Sequence, residues 1–277
     1  MNLPMEIDVE KFKQEGYAGP YKFVGAAEVQ SLLDERFTPP NLTWYKSPHE
    51  KSAPIVRTAS SPAMLAKLRP LLGNDILLWG SHFICQRPGQ NQCMHIDVEH
   101  GRWDGVTVWL ALKNLDEKTT LSLITRSHAF DTAPNVLQKT KGLNVDDNDA
   151  VLAEARELDP RCELKTFRLN PGEIVIWSGR AWHGTVNKSD KTRFSIIMQY
   201  CTPDNVARIP LNYEYPDTKW SDVQPPCVLV SGEDRFRCNK VLRKEDLEPA
   251  SELVRKLYAK MNKARYAAWA LKRKLFP

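Results

Sequence analysis

Nowhere in this sequence of 277 residues do two cysteines form a C-x-x-C pair. The six cysteines, Cys85, Cys93, Cys162, Cys201, Cys227 and Cys238, fall at irregular spacings. That pattern argues against a zinc knuckle and against a disulfide framework, and it points to reduced thiols in the cytoplasm. Long apolar runs are missing as well: none approaches the length that crosses a bilayer, and Met1 to Glu6 lacks the basic region and apolar core of a secretion signal. A soluble, cytoplasmic chain with no membrane partner is expected. Charge of one sign is scarce, since 39 Lys and Arg face 34 Asp and Glu for a formal net charge of +5, and much of the excess lies in the C-terminal tail. With mixed signs through the core and no basic stripe, nucleic acid is not an expected partner.

What is present reads as one mainly β domain over residues 1–277, because decorated β-barrels reach this size as a single unit. Residues 1–73 form a helical flank: Asp8 to Glu35 reads as helix, turn and helix, and Ser61-Pro62 opens a further helix that closes near Leu72-Gly73. Residues 74–202 form the core of short β-prone runs, beginning with Ile76 to Trp79 and His82 to Cys85. Val106 to Leu112 and Leu121 to Ile124 follow, then an insert at about 130–160 with a short helix near Val151 to Leu158. Cys162 to Leu169, Glu173 to Trp177 and Arg193 to Tyr200 complete the set, separated by the turn sequences Asn170-Pro171-Gly172 and Asn187 to Asp190. Residues 203–240, rich in proline and aromatics, are a candidate lid or surface wrap, and 241–277 carry an amphipathic helix with an apolar face from Leu253 to Leu271.

The chemistry sits in His95-Ile96-Asp97, then His183, then Arg193. Residues two apart on a strand share a face, so His95 and Asp97 can reach one ion from one strand end. His183 must come from another strand, with a hairpin from Thr185 to Thr192 leading to Arg193. Two imidazoles and one carboxylate leave half of a ferrous ion's coordination sphere open, which is the donor set of non-haem oxygenases. Arg193 adds a planar fork that matches a carboxylate bidentately, so 2-oxoglutarate held by its far end is the expected co-substrate and O2 the other. Arg193 and Ser195 fall on one face of a strand and can address the same carboxylate.

In the order and spacing of these pieces the sequence resembles the phytanoyl-CoA hydroxylase-like family of Fe(II) and 2-oxoglutarate dependent dioxygenases. Phe12 with Glu15-Gly16-Tyr17, Arg87-Pro88-Gly89 ahead of His95-Ile96-Asp97, and Trp109-Leu110-Ala111-Leu112 with Ser127-His128 carry the likeness, as does Gly172 to Ile176 through His183-Gly184 to Arg193. The resemblance implies a double-stranded β-helix (jelly-roll, cupin-like) core. It also implies that His95, Asp97 and His183 are the catalytic iron ligands, that Arg193 is the partner of the distal 2-oxoglutarate carboxylate, and that Trp109 lies beside the co-substrate, with Ser195 a second contact. Arg126 stands where the family carries glycine, and Thr119-Thr120 replaces its Asn-Gly turn. Halogenating relatives replace the carboxylate with Gly or Ala, and Asp97 fills that place here.

The expected function is therefore hydroxylation of an unactivated carbon of a small-molecule substrate, as a tailoring step in natural-product or amino-acid-derived metabolism. The alternatives are the same oxidant used for desaturation or ring formation, a metal-dependent enzyme without 2-oxoglutarate, for which Arg193 would have no task, and a catalytically silent β-barrel binding module. His49, His82, His100 and His128 are expected to lie off the site, His82 being the best placed of them, and Glu99 and Asp104 lack the shared-face spacing of Asp97. Trp177 is expected to pack in the core, and Ser127-His128 to order a turn.

Overall fold

A computed structural model describes residues 6–36, 42–97, 105–116 and 118–242. The amphipathic helix of 241–277 lies outside them but for its first two residues, as do His100, Glu99 and Asp104. Among the described residues eleven strands build two sheets. In chain order they are β1 Tyr17–Lys22, β2 Ile76–Gln86, β3 Asn91–His95, β4 Gly105–Lys113, β5 Thr119–Ile124 and β6 Leu164–Phe167, then β7 Glu173–Ser178, β8 His183–Asn187, β9 Arg193–Cys201, β10 Cys227–Ser231 and β11 Val241–Leu242. The larger sheet runs β1-β7-β4-β9-β2-β10-β11 and the smaller β3-β8-β5-β6. Six helices accompany them: α1 Val9–Glu15, α2 Ala26–Glu35, α3 Ala53–Ala59, α4 Pro62–Leu72, α5 Pro134–Lys141 and α6 Asn148–Leu158. This is the double-stranded β-helix that the motif order implies.

Alternation along the central strands decides which side chains reach the interior. On β4, Val106, Val108 and Leu110 turn outward and pack with Leu32, Ile55, Met64 and Leu68 of α2, α3 and α4. Trp109 and Ala111 turn inward, against Leu121 and Leu123 of the smaller sheet. Both faces of the large sheet are therefore covered, which is why β4, β7 and β9 read as near-continuous apolar runs. A fully buried Leu or Ile in such a layer contributes roughly 1.5–3 kcal/mol. Behind the smaller sheet, α5 and α6 pack Leu137, Val151 and Ala155 on Met94, Ile124 and Trp182.

Local chemistry explains most boundaries. Asp8 accepts from Lys11 N at 3.0 Å to start α1, and Ser61 accepts from Met64 N at 3.2 Å to start α4. Gly172 ends the turn before β7 at φ 89, and a Cβ there would meet Val24 O at 2.2 Å, so only glycine fits.

Four features differ from the sequence expectation. The turn between α1 and α2 is the strand β1, which among the described residues pairs with β7 alone. Its Gly19-Pro20 reads as a turn, yet an edge strand tolerates a residue without a donor. The two runs from Ile76 are one strand, β2, with a register shift between Leu78 and Gly80. The insert holds a second helix, α5, started by Pro134 at its first turn and closed by Gly142 at φ 72. Finally, Thr185 to Thr192 is a crossing between sheets rather than a hairpin, because β8 pairs with β3 and β5 whereas β9 pairs with β2 and β4. Asn187 turns the chain there by donating from Nδ2 to Gln86 O and Lys191 O, each at 2.8 Å.

The segment 42–51 is tied to β2 by His49, whose side chain is wholly buried. Its Nε2–H donates to Pro226 O at 2.8 Å, and its Nδ1 accepts from Ser81 Oγ at 2.9 Å. Burial pushes its pKa down to about 4, opposed by the Pro226 carbonyl. An unfolded imidazole takes up its proton near 6.5 and the folded one only near 4. Stability should thus be fully present above about pH 6.5 and fall as pH drops toward 4, by about 3 kcal/mol for this one group. Urea unfolding at several pH values should show that slope, and His49→Gln should make it shallower by this one group's share, with His82 and His95, also held near 4, supplying the rest; an equal slope in the variant would contradict a neutral buried His49.

Candidate metal centre and its cavity

His95 ends β3 and His183 begins β8, and the two are direct cross-strand partners with ring centroids 4.2 Å apart. One extra residue on β3 between Gln92 and His95 shifts the register, a device that re-aims side chains beside functional sites. Asp97 lies just past the strand end, its N–H donating to Gly179 O at 3.2 Å. One ligand atom from each of His95, Asp97 and His183 lies within 4.8 Å of the other two.

Hydrogen bonds set the orientation of each group. Nδ1–H of His95 donates to Cys93 O at 2.8 Å, and Nδ1–H of His183 donates to Ala181 O at 2.9 Å. Each Nε2 then turns its lone pair to the shared space, where that of His95 accepts from Gln92 Nε2 at 3.0 Å, a hydrogen bond that a ligated ion would displace. Burial first, and the neighbouring His183 second, hold the His95 pKa down to about 4, so the ring is neutral and ligand-competent near pH 7. Thr107 on β4 donates to Asp97 Oδ2 at 2.9 Å. Two imidazoles and a carboxylate held in this way fit a divalent ion of the ferrous type.

Arg193 opens β9 opposite Gln86, with no exposed surface. Among the described residues none of its three guanidinium nitrogens has a hydrogen-bond partner, and Ser195 Oγ, Trp109 Nε1 and Gln86 Oε1 are in the same condition. Burial lowers the guanidinium pKa only to about 10, so it stays charged. Its Cζ lies 5.3 Å from the Trp109 ring centroid. An unpaired buried charge costs several kcal/mol, so the orphaned donors of Arg193, Ser195 and Trp109 fit an anionic ligand with a planar carboxylate.

A cavity of about 420 Å³ opens on the metal set, walled by His95, Asp97, His183, Trp109 and Trp177 among others. Arg193 and Ser195 are not on its wall; Trp109 and Ile197, their inward-facing neighbours, are. Trp177 packs in the core as expected, with Tyr17, Phe167 and Val175, and also borders the cavity, its ring 4.9 Å from that of His183. Trp182 fills the space behind the smaller sheet instead, donating from Nε1 to Thr132 O at 3.2 Å. His82 is on the wall and neutral, with its pKa lowered to about 4 by burial and then by Lys46. His49 and His128 lie elsewhere, and Ser127 orders the approach to His183 by accepting from Trp182 N at 2.8 Å. Arg126 takes the left-handed backbone, φ 67, where the resemblance expects glycine, and Asp159 holds its Nε at 2.8 Å away from the cavity.

Thr107, Gln92, Lys46, Tyr45 and Tyr213 join the site without a sequence signal, apart from the alternation that sets Thr107 on the same face as Trp109. Replacing Thr107 by Val removes the hydrogen bond that orients Asp97, so cobalt(II) titration should show affinity weakened by about tenfold. Unchanged affinity would exclude this support.

The profile of the phytanoyl-CoA dioxygenase family matches residues 37–195, more than half of the chain. No curated protein sequence matches. Among solved structures, the non-heme monooxygenase ThoJ in a nickel complex superposes with TM-score 0.60 at 19% identity, over 96% of this chain and 98% of that one. CytC3 with Fe(II) and alpha-ketoglutarate superposes with TM-score 0.60 at 18% identity, over 87% and 93%. The alpha-ketoglutarate dependent epimerase SnoN from nogalamycin biosynthesis gives 0.56 at 15% identity, over 78% and 91%. These likenesses speak for the fold, and the family match covers the strands that carry His95, Asp97 and His183. The chain belongs to the phytanoyl-CoA dioxygenase family.

Proposed function

We propose that residues 1–277 form a single oxygenase domain that uses Fe(II), 2-oxoglutarate and O2 to hydroxylate an unactivated carbon of a small molecule, in natural-product or amino-acid-derived metabolism. In this reading His95, Asp97 and His183 ligate the iron, Arg193 receives the far carboxylate of 2-oxoglutarate with Ser195 as second contact, and Trp109 packs beside the co-substrate. The observation that carries it is the convergence of three ligand atoms within 4.8 Å in a molecule that also buries an orphaned guanidinium against a cavity-wall tryptophan. Iron with 2-oxoglutarate, when bound, supplies O2 activation and an oxidant able to take hydrogen from an unactivated carbon.

The chain's own residues would then position and shield. His95 and His183 turn their Nε2 atoms to the shared space because backbone carbonyls hold Nδ1–H. Thr107 fixes one oxygen of Asp97. Arg193 and Ser195 orient the co-substrate from one strand face, while Trp109, Trp177, Leu121 and Ile197 keep water from the reacting end. Residues 203–240 act in part as a cover. Tyr213 reaches the cavity wall and its hydroxyl hydrogen-bonds that of Tyr45, and only Cys227–Ser231 of the segment is a strand of the large sheet.

Succinate release with Fe(II), O2 and 2-oxoglutarate tests the reading. Asp97→Ala should abolish it. Arg193→Ala should weaken 2-oxoglutarate binding by roughly 100-fold, the effect of truncating a buried charge partner, with metal affinity little changed in calorimetry. Co-substrate affinity unaltered by Arg193→Ala would remove the assigned anchor. A product heavier by one oxygen identifies hydroxylation, and loss of two hydrogens identifies desaturation or ring closure.

A further inference from the structure

Gln199 is wholly buried on β9, and neither Oε1 nor Nε2 of its amide has a hydrogen-bond partner among the described residues. An amide shut away from water with both atoms unmet works against folding, so its retention points to a ligand. Register sets its place. Gln199 pairs with Gly80 of β2 on one side and with Thr107 of β4 on the other, and Thr107 pairs in turn with Trp177 of β7. These four residues form one row across the large sheet. Strand alternation from Ile197, on the cavity wall, turns Gln199 to the same inner face. Like Arg193, it stands next to the wall rather than on it, with Ile197 and Thr107 as its lining neighbours.

That row is the level of the metal set. Thr107 donates to Asp97 Oδ2 at 2.9 Å, and the Trp177 ring lies 4.9 Å from that of His183. Arg193 opens the same strand six residues earlier, roughly 20 Å along it at about 3.3 Å per residue. A co-substrate held by Arg193 therefore comes to the metal from the other end of β9, and Gln199 addresses the space beyond. On that side the wall continues through Ile197 and His82, which pair with each other across β9 and β2.

Gly80 shows that room is kept for the amide. Its φ is not positive, so its backbone does not require glycine, yet a Cβ there would lie 2.9 Å from Gln199 Oε1. A glycine inside a strand weakens it and marks a place of close approach, here that of the amide oxygen.

From this juxtaposition, and resting on the oxygenase reading above, we infer that the substrate carries a neutral carboxamide or lactam edge that pairs with the Gln199 amide. The substrate C=O accepts from Nε2 and its N–H donates to Oε1. A side-chain amide offers a donor and an acceptor in one plane, and another amide edge meets both. Neither partner is charged, which suits a place enclosed by strands, where an unpaired charge would cost more. Held there, the substrate is fixed at one end and presents a carbon at the level of Thr107 and Asp97. Gln199 is a specificity and positioning residue, and Gly80 sets where its amide lies.

The probes are matched pairs in which the amide nitrogen is replaced by carbon: hydrocinnamamide with benzylacetone, and oxindole with indanone carrying its ketone at the same ring position. They are titrated into the oxygen-free protein loaded with Fe(II) and 2-oxoglutarate, and in parallel into the metal-free protein. Amides should bind the wild type about tenfold tighter than the ketones, as when a buried acceptor is left unmet. Gln199→Met should erase the preference, and Gly80→Ala should reduce it by displacing Oε1. Because methionine removes two unmet polar atoms at similar volume, ligand-free Gln199→Met should melt roughly 2–4 °C above the wild type. Its cobalt(II) affinity should stay close to that of the wild type. The inference is overturned if no amide binds, if ketones bind equally well, or if the preference survives in Gln199→Met. A lower melting temperature for Gln199→Met would assign the amide to the fold, and cobalt(II) affinity weakened as in Thr107→Val would assign it to the support of Asp97. Either result overturns the inference while the oxygenase reading stands. Failure of 2-oxoglutarate to bind the wild type would instead sink the oxygenase reading, and the metal-free titrations would still decide whether Gln199 selects amides.

Discussion

The pairing of His95 with His183 across β3 and β8 is the constraint on which the rest of the structure depends. Strand side chains repeat every two residues, so a slip of one would turn both imidazoles away from the interior. The same register is imposed from the other side of β8, where Leu123 pairs with His183 and Leu121 with Thr185. Both leucines are fully buried between the sheets. Burial of the apolar residues that hold the smaller sheet on the larger one therefore also fixes the site, and the geometry of the metal set is coupled to the folding free energy.

That coupling lets the interior hold polar groups that folding alone would disfavour. Arg193, Ser195 and Trp109 Nε1 are buried with unmet hydrogen-bonding capacity. The opposite face of the large sheet offsets this with an apolar layer that runs through Val108, Ile176, Ile196 and Met198 to the helices. A ligand that met these donors would bind the folded state alone and so stabilise it. The side of the cavity that carries Tyr213 is held differently. The loop around Tyr213 reaches α5 through Asn135 Nδ2 to Tyr215 O at 3.0 Å and an exposed Lys139 to Glu214 contact at 3.2 Å. An exposed ion pair contributes about 0–1 kcal/mol, far less than a core layer.

Much of the fold could be read from the chain because its signals are local. Ser61-Pro62 starts a helix by capping and preset φ, and Asn170-Pro171-Gly172 makes a turn that only glycine completes against Val24. The alternation of Val106 to Leu112 marks a strand with two buried faces. The misreadings share one cause, which is that pairing partners are not local. Tyr17–Lys22 is a strand because β7 lies beside it. Trp177 packs in the core as expected but also borders the cavity, because the core between the sheets and the cavity share that face of β7. The crossing from β8 to β9 reads as a hairpin until the two strands are seen in different sheets.

The sequence by itself determined the donor types and their order: two histidines and an aspartate at spacings that suit strand ends, and an arginine and a serine two apart on a later strand. These are matters of residue chemistry and of a two-residue period, and both are written along the chain. Only the tertiary structure decided that Thr107 holds Asp97, that Gln92 reaches His95, and that Lys46 with its aromatic neighbours enters the cavity from a segment without regular pattern. Those contacts arise where strands and loops far apart in sequence are brought together by the closure of two sheets, and no local period encodes which of them will meet.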